Sequence, residues 1–260
     1  MNETEILGAA EALYGAWQTG NAIEPLTERY PSMSIEHAYG VQQAFIAQRL
    51  GRGERVIGKK IGVTSRAVMD MLKVYQPDFG YLLDGMCVPS PSGVSMDGLI
   101  QPKAEGELAF VLKKDLLGPG VTNADVLAAT EGVMACFEIV DSRVLDWRIR
   151  IQDTIADNAS CGLFVLGDRL VAPAEVDFGL CGMVLEKNGE VLVTGAGAAA
   201  LGSPVNAVAW LANTLGRFGI PLKAGEVILS GALGAMVPVE RGDFLRVSIG
   251  GVGQCTVHFN

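Results

Sequence analysis

The sequence predicts an α+β fold in which a small helical region at the N-terminus packs on a larger mixed β-roll or sandwich. Three observations carry that expectation. Apolar residues recur at helical spacing up to Leu50. Beyond residue 80 they give way to short alternating runs punctuated by glycine, and one such run contains an Asn-Gly pair, the strongest short-range signal for a hairpin. The expected organisation is a mainly helical region over residues 1–75 followed by a β-rich domain over 76–260.

In the first helix Ile6, Leu7, Ala10, Leu13, Tyr14 and Trp17 form one apolar stripe that stops at Gly20. A second helix starts with Ser34 as N-cap, turns Ile35, Ala38, Tyr39, Phe45 and Ile46 inward, and ends at the Gly51-Arg52-Gly53 break. Residues 55–63 have the β-branched character of a strand, and a short helix runs from Ser65 to about Lys73. Thr122, with Asp125 three residues on, caps another helix. The run 183–193 turns at Asn188-Gly189, and a helix opens near Pro204 and carries Val208, Leu211, Ala212 and Leu215 to Gly219. At the C-terminus, residues 244–249 alternate, turn at Gly250-Gly251, and return as 255–259. The 33 glycines fit tight turns and bulges better than disorder, because 49% of the chain is hydrophobic.

A net charge of -9 argues against nucleic acid or an anionic membrane as partner, since both reward a basic footprint. No apolar run approaches the roughly 18 residues of a membrane span, and Met1-Asn2-Glu3-Thr4-Glu5 lacks the positive start of a signal peptide. A cytoplasmic location is expected. The five cysteines are scattered and form no CxxC pair, which suits buried, reduced thiols.

The candidate chemistry lies in carboxylates and lysines. Glu105 and Glu107, two apart in a strand-like run, point to the same face and repel each other unless a cation lies between them. A hard divalent cation would need a third oxygen ligand. Glu138, in the apolar run 135–140, is the best candidate, the alternative being a structural ion pair with Arg143. Asp141 and Asp157 are further acids in polar clusters. Alternation sends Lys59 and Lys60 to opposite faces, so at most one of them is expected to point outward. Asp78 follows a proline and has aromatic neighbours that could desolvate it, though Pro-Asp is also ordinary turn chemistry. Gly195-Ala196-Gly197 lacks the full dinucleotide motif, no P-loop or GxSxG sequence occurs, and His37 and His258 offer histidine chemistry little support.

Five segments together resemble the 2-hydroxypenta-2,4-dienoate (2-oxopent-4-enoate) hydratases of the fumarylacetoacetase-like superfamily: Gly58–Ser65, Gln76–Gly80, Gln101–Glu107, Phe137–Arg143 and Ala156–Ser160. The resemblance extends to residues 202–206 and 229–234. It implies a β-rich catalytic domain of the fumarylacetoacetase C-terminal type, with Glu105, Glu107 and Glu138 as ligands of Mg2+ or Mn2+ and Lys60 and Asp78 as catalytic residues. Asp157 and Ser160 match a polar motif expected to bind substrate. The implied reaction adds water to a 2-hydroxydienoate in the meta-cleavage catabolism of aromatic compounds, with either Lys60 or Asp78 as acid and the other as base. A pentamer-based or decameric homo-oligomer is implied as well.

The sister 4-oxalocrotonate decarboxylases share the metal motif and are the nearest rival reading. The Asp78 loop distinguishes this chain from them, and such a decarboxylase is also an expected partner of the hydratase. A non-catalytic oligomeric scaffold for the decarboxylase is the third reading, but it would require neither Lys60 nor Asp78.

Overall fold

The computed structural model describes residues 1–89 and 93–260. Helix α1 (Glu3–Thr19) opens in a capping box made by Asn2 and Glu5 and stops where Gly20 takes a left-handed φ of 68°. After the short α2 (Leu26–Arg29), α3 (Ile35–Leu50) is capped by Ser34, whose hydroxyl accepts from His37 N at 3.2 Å. Strand β1 (Val56–Gly62), helix α4 (Arg66–Leu72) and strands β2 (Asp78–Leu83) and β3 (Cys87–Val88) follow. Next come β4 (Lys103–Leu112), α5 (Asn123–Ala129), β5 (Thr130–Val140), α6 (Ile151–Ala156) and β6 (Cys161–Leu166). The remainder is β7 (Gly182–Lys187), β8 (Glu190–Ala196), α7 (Pro204–Gly216), β9 (Val227–Leu229), β10 (Val237–Pro238), β11 (Phe244–Ile249) and β12 (Gly253–His258).

Two sheets result. The larger has the order β2-β1-β9-β4-β5-β6-β3, with β10 pairing on β4, and is mixed because β1–β9 and β3–β6 are parallel. The smaller, β12-β11-β7-β8, is antiparallel, and its β7–β8 turn has Asn188 and Gly189 both at positive φ, as a tight hairpin requires. Side chains that alternate along β4 and β5 build two separate cores. Leu108, Phe110 and Phe137 pack toward Met183, Leu185 and Val247 of the smaller sheet. On the opposite face, Ala109, Cys136 and Phe164 pack with Leu13 of α1, Ala38 and Phe45 of α3 and Ile155 of α6. The helices therefore roof one face of the large sheet.

That arrangement runs across the expected division at residue 75. Strand β1 belongs to the large sheet, hydrogen-bonded to β2 on one side and β9 on the other, so the helical layer proper ends with α3 and the sheet begins at Val56. Among the described residues no helix is long and apolar enough to cross a membrane, and all five cysteines are free.

Candidate metal centre

Strand register creates the site. Glu105 on β4 lies directly opposite Glu138 on β5, and Glu107 lies opposite Cys136. Residues paired across strands share a face, and two like charges placed directly opposite destabilise a sheet. With Glu107 two residues along the same face, all three carboxylates converge, each offering an oxygen within 4.8 Å of the others. Glu107 and Glu138 are fully buried, and Glu105 lies nearer the surface.

The hydrogen-bond accounting is unusual for a buried site. Glu107 Oε2 accepts from Gly231 N at 2.8 Å, whereas its Oε1 and both oxygens of Glu138 have no aligned donor. Buried polar atoms are ordinarily paired. Three converging carboxylates, two of them with orphaned oxygens, form the donor set that a hard divalent ion such as Mg2+ or Mn2+ prefers, so the residues present fit the implied metal. Gly231 earns its place: at φ 95° it turns its N–H to Glu107, and a Cβ there would collide with the Thr64 side chain.

Lys60 is the nearest cation. Its Nζ lies 3.1 Å from Glu138 Oε1 and donates to Ala159 O at 3.0 Å. Lys59 and Lys60 do face opposite sides of β1, but neither points outward: both are 3% exposed, and Lys59 pairs with Glu226 at 2.6 Å. Arg143, the alternative partner for Glu138, pairs with Asp157 instead. Asp78 at the start of β2 is 1% exposed, with both carboxylate oxygens lacking a partner. A Cβ on Gly62 would strike Asp78 Oδ1 and lie 3.3 Å from Lys60 Nζ, so Asp78 and Lys60 share the space over that glycine. Gln42 and Tyr39 of α3 close the roof there. Gln42 donates to Phe79 O at 2.8 Å and to Ile155 O at 3.0 Å, and Tyr39 stacks on Phe79 at 4.5 Å between ring centroids.

Four carboxylates therefore face one buried ammonium, and their proton affinities reflect it. Burial, reinforced by the Glu138 charge, pushes Glu105 up to about 7. Burial raises Asp78 to about 6 even though Lys60 opposes the shift, and Glu107 is driven well above its ordinary range by burial and its two glutamate neighbours. For Lys60, burial works against the charged form, but Glu138 and Asp78 outweigh it and the net direction is upward. The consequence for stability has a definite sign. Between the ordinary carboxylate range and these raised values the folded, metal-free protein holds protons that the unfolded chain has released, so stability falls as pH rises through about 6 to 7. The melting temperature of the metal-free protein is expected to drop across that window. Mg2+ should raise it more above the window than below, as differential scanning fluorimetry with and without chelator would record.

The other expected residues have the following partners. Asp157 is fully buried with both oxygens turned to Arg143, and the Ser160 hydroxyl lies 3.1 Å from Thr154 Oγ1. Asp141 accepts from Ile100 N and Gln101 N and anchors the approach to β4. His37 is occupied as a cap and by the N-terminal amine, and His258 by Asn260. Sequence reasoning attached no role to the Gly231 amide or the Ala159 carbonyl, because backbone groups carry no residue-type signal. Lys103 shares the face of Glu105 and seats its ammonium 4.3 Å from the centroid of the Trp147 ring.

Comparison with known proteins follows the same lines. The family model for the fumarylacetoacetate (FAA) hydrolase C-terminal region matches residues 63–260. A 2-hydroxypent-2,4-dienoate hydratase of Pseudomonas putida is 62% identical over 85% of this chain and 100% of its own length. A 2-hydroxyhexa-2,4-dienoate hydratase of Comamonas testosteroni is 55% identical over 96% of this chain and 95% of its own. Among solved structures, 4-oxalocrotonate decarboxylase from Pseudomonas putida G7, complexed with magnesium and adipate, superposes with a TM-score of 0.96 at 38% identity, covering 100% of this chain and 99% of that one.

Proposed function

The chain belongs to the fumarylacetoacetate hydrolase family, and from that premise we propose that it is a divalent-metal-dependent hydratase of 2-hydroxypenta-2,4-dienoate, giving 4-hydroxy-2-oxopentanoate. The observation that carries the reading is the convergence of Glu105, Glu107 and Glu138 beside a buried Lys60 and an unpartnered Asp78. Two hydratases at 55% and 62% identity support hydration over decarboxylation, since the decarboxylase likeness rests on 38%.

Glu105, Glu107 and Glu138 would hold the ion. When bound, Mg2+ or Mn2+ supplies positive charge that attracts the substrate's carboxylate and 2-oxygen and stabilises negative charge developing there. The reaction requires the 2-hydroxyl proton to leave, a proton to reach C5, and water to add as hydroxyl at C4 and proton at C3. Asp78 suits the exchanges: with a pKa near 6 and two free oxygens it accepts and returns a proton close to neutral pH. Lys60 stays an ammonium held 3.1 Å from Glu138 Oε1, with one N–H committed to Ala159 O and the others available as fixed donors. The roof of Tyr39, Gln42 and Phe79 keeps this corner dry, which strengthens both groups' electrostatics. Asp157 and Ser160 act one step back from the substrate, through the turn they hold.

The wider setting belongs to the same proposal. The enzyme works in the cytoplasm on a product of aromatic ring cleavage, as a pentamer-based or decameric homo-oligomer that associates with a 4-oxalocrotonate decarboxylase. The decarboxylase reading is kept in play by the superposition with that enzyme. Purified protein offered 2-hydroxypenta-2,4-dienoate and, separately, 2-oxo-3-hexenedioate is expected to consume only the first, without release of CO2. Loss of CO2 from the second with no hydration of the first would reverse the assignment.

A further inference from the structure

Residues 158–160 form a turn that the rest of the site does not explain. Asn158, Ala159 and Ser160 have φ of 55°, 52° and 52°, three consecutive left-handed residues without a glycine. Such backbone persists only where its surroundings over-determine it, and it gathers at functional sites. Here the surroundings centre on one buried side chain. Arg143, 3% exposed, donates from its backbone N to Asp157 Oδ2 at 2.9 Å and from Nε to Asp157 Oδ1. Its remaining nitrogens donate to Asp157 O at 2.6 Å and to Cys161 O at 2.9 Å, the carbonyls that bracket the turn on either side. Asn158 is pinned to Tyr81 by two hydrogen bonds, its Oδ1 accepting from Tyr81 N at 2.8 Å and its Nδ2 donating to Tyr81 O at 2.9 Å, and Ser160 O accepts from Asp141 N at 2.8 Å. One carbonyl of the turn is left for the site: Ala159 O, which receives Lys60 Nζ.

We propose that Arg143, locked by Asp157, is a positioning residue for Lys60: it holds the left-handed turn so that the Ala159 carbonyl fixes the ammonium beside Glu138. The inference rests on the reading of Lys60 as an active-site residue. It explains why an arginine is buried here, since only a planar fork reaches a carboxylate and two carbonyls at once, which a lysine cannot do. It also gives Asp157 a reason to be buried without touching substrate.

The test uses the full chain at saturating Mg2+, with melting temperature, Mg2+ affinity by calorimetry, kcat and KM measured for Arg143→Lys, Ala159→Gly, their double variant and Lys60→Met. Misplacing a catalytic group by about 1 Å costs on the order of 10- to 100-fold, so Arg143→Lys is expected to lose that much kcat, with KM and Mg2+ affinity within roughly threefold of wild type. Ala159→Gly removes the left-handed strain and keeps every hydrogen bond that holds the turn, so alone it should melt at or above the wild-type temperature with wild-type kcat, whereas added to Arg143→Lys it should restore stability without restoring kcat, because glycine tolerates the turn but does not fix the carbonyl. That split between kcat and stability is one a purely structural role would not produce. Wild-type kcat in folded Arg143→Lys, or in the Arg143→Lys/Ala159→Gly double variant if Arg143→Lys alone does not fold, would overturn the clamp while an inactive Lys60→Met left the role of Lys60 standing. Full turnover in Lys60→Met would remove Lys60 itself and the proposal with it.

Discussion

Replacing Glu107 with Gln is expected to cut metal-dependent turnover by roughly 10³, equivalent to about 4 kcal/mol of transition-state stabilisation, while leaving the fold intact. Glu107 is fully buried in the middle of β4, and the substitution keeps its shape. The amide oxygen of Gln can still accept from Gly231 N, so the one hydrogen bond Glu107 makes survives. What disappears is a negative charge crowded by Glu105 and Glu138. Without metal that charge is a burden, and its removal should leave the metal-free protein at least as stable as wild type at neutral pH. Loss of activity together with retained or increased stability is the signature of a ligand. Steady-state rates across a range of Mg2+ concentrations, beside thermal melts in chelator, would reveal it. Near-normal turnover would take Glu107 out of the ligand set.

Lys60→Met is expected to do the opposite to stability. It removes the ammonium facing Glu138 and Asp78 and leaves both carboxylates uncompensated in a dry site, a loss of about 3–5 kcal/mol when a buried pair is broken from one side. The cost should be smaller below pH 6 than above pH 7, because Asp78 and Glu105, already raised to about 6 and 7, can then protonate. Turnover should fall by about 10²–10⁴, the range for a lost acid-base or donor group. Urea denaturation at two pH values and the rate at saturating substrate measure the two effects separately. A variant as stable as wild type at neutral pH would contradict the charge balance drawn here, in which one lysine answers several carboxylates.

Much of the site could be read from residue order, and what could not has identifiable causes. The period of two along a strand is enough to put Glu105 and Glu107 on one face, and Ser34, Ser65 and Thr122 mark the starts of α3, α4 and α5. That Glu138 stands opposite Glu105, far away in sequence, is a matter of register between two strands joined through a loop and α5, which no local pattern encodes. The same holds for β9, three residues long, which inserts between β1 and β4 and draws the supposed N-terminal region into the main sheet. Helix α6 spans six residues, too few for helical periodicity to show. The turn at 158–160 is the hardest case: Asn-Ala-Ser carries no glycine, and its left-handed backbone is imposed by Arg143, Tyr81 and Asp141 from elsewhere in the chain. For Asp157 the sequence offered an acid in a polar motif and could not reveal that a buried guanidinium had claimed it.

The central claim is that three carboxylates on one sheet face hold a divalent ion on which turnover depends. Its most direct test is to strip the protein with chelator, remove the chelator, and titrate Mg2+ back while following dienol absorbance of 2-hydroxypenta-2,4-dienoate, with Glu107→Gln measured in parallel. The account predicts no turnover in the stripped protein, full recovery as one ion per chain binds, and no recovery in the variant over the same range. Dienol loss that is indifferent to chelator and to added Mg2+ would contradict it.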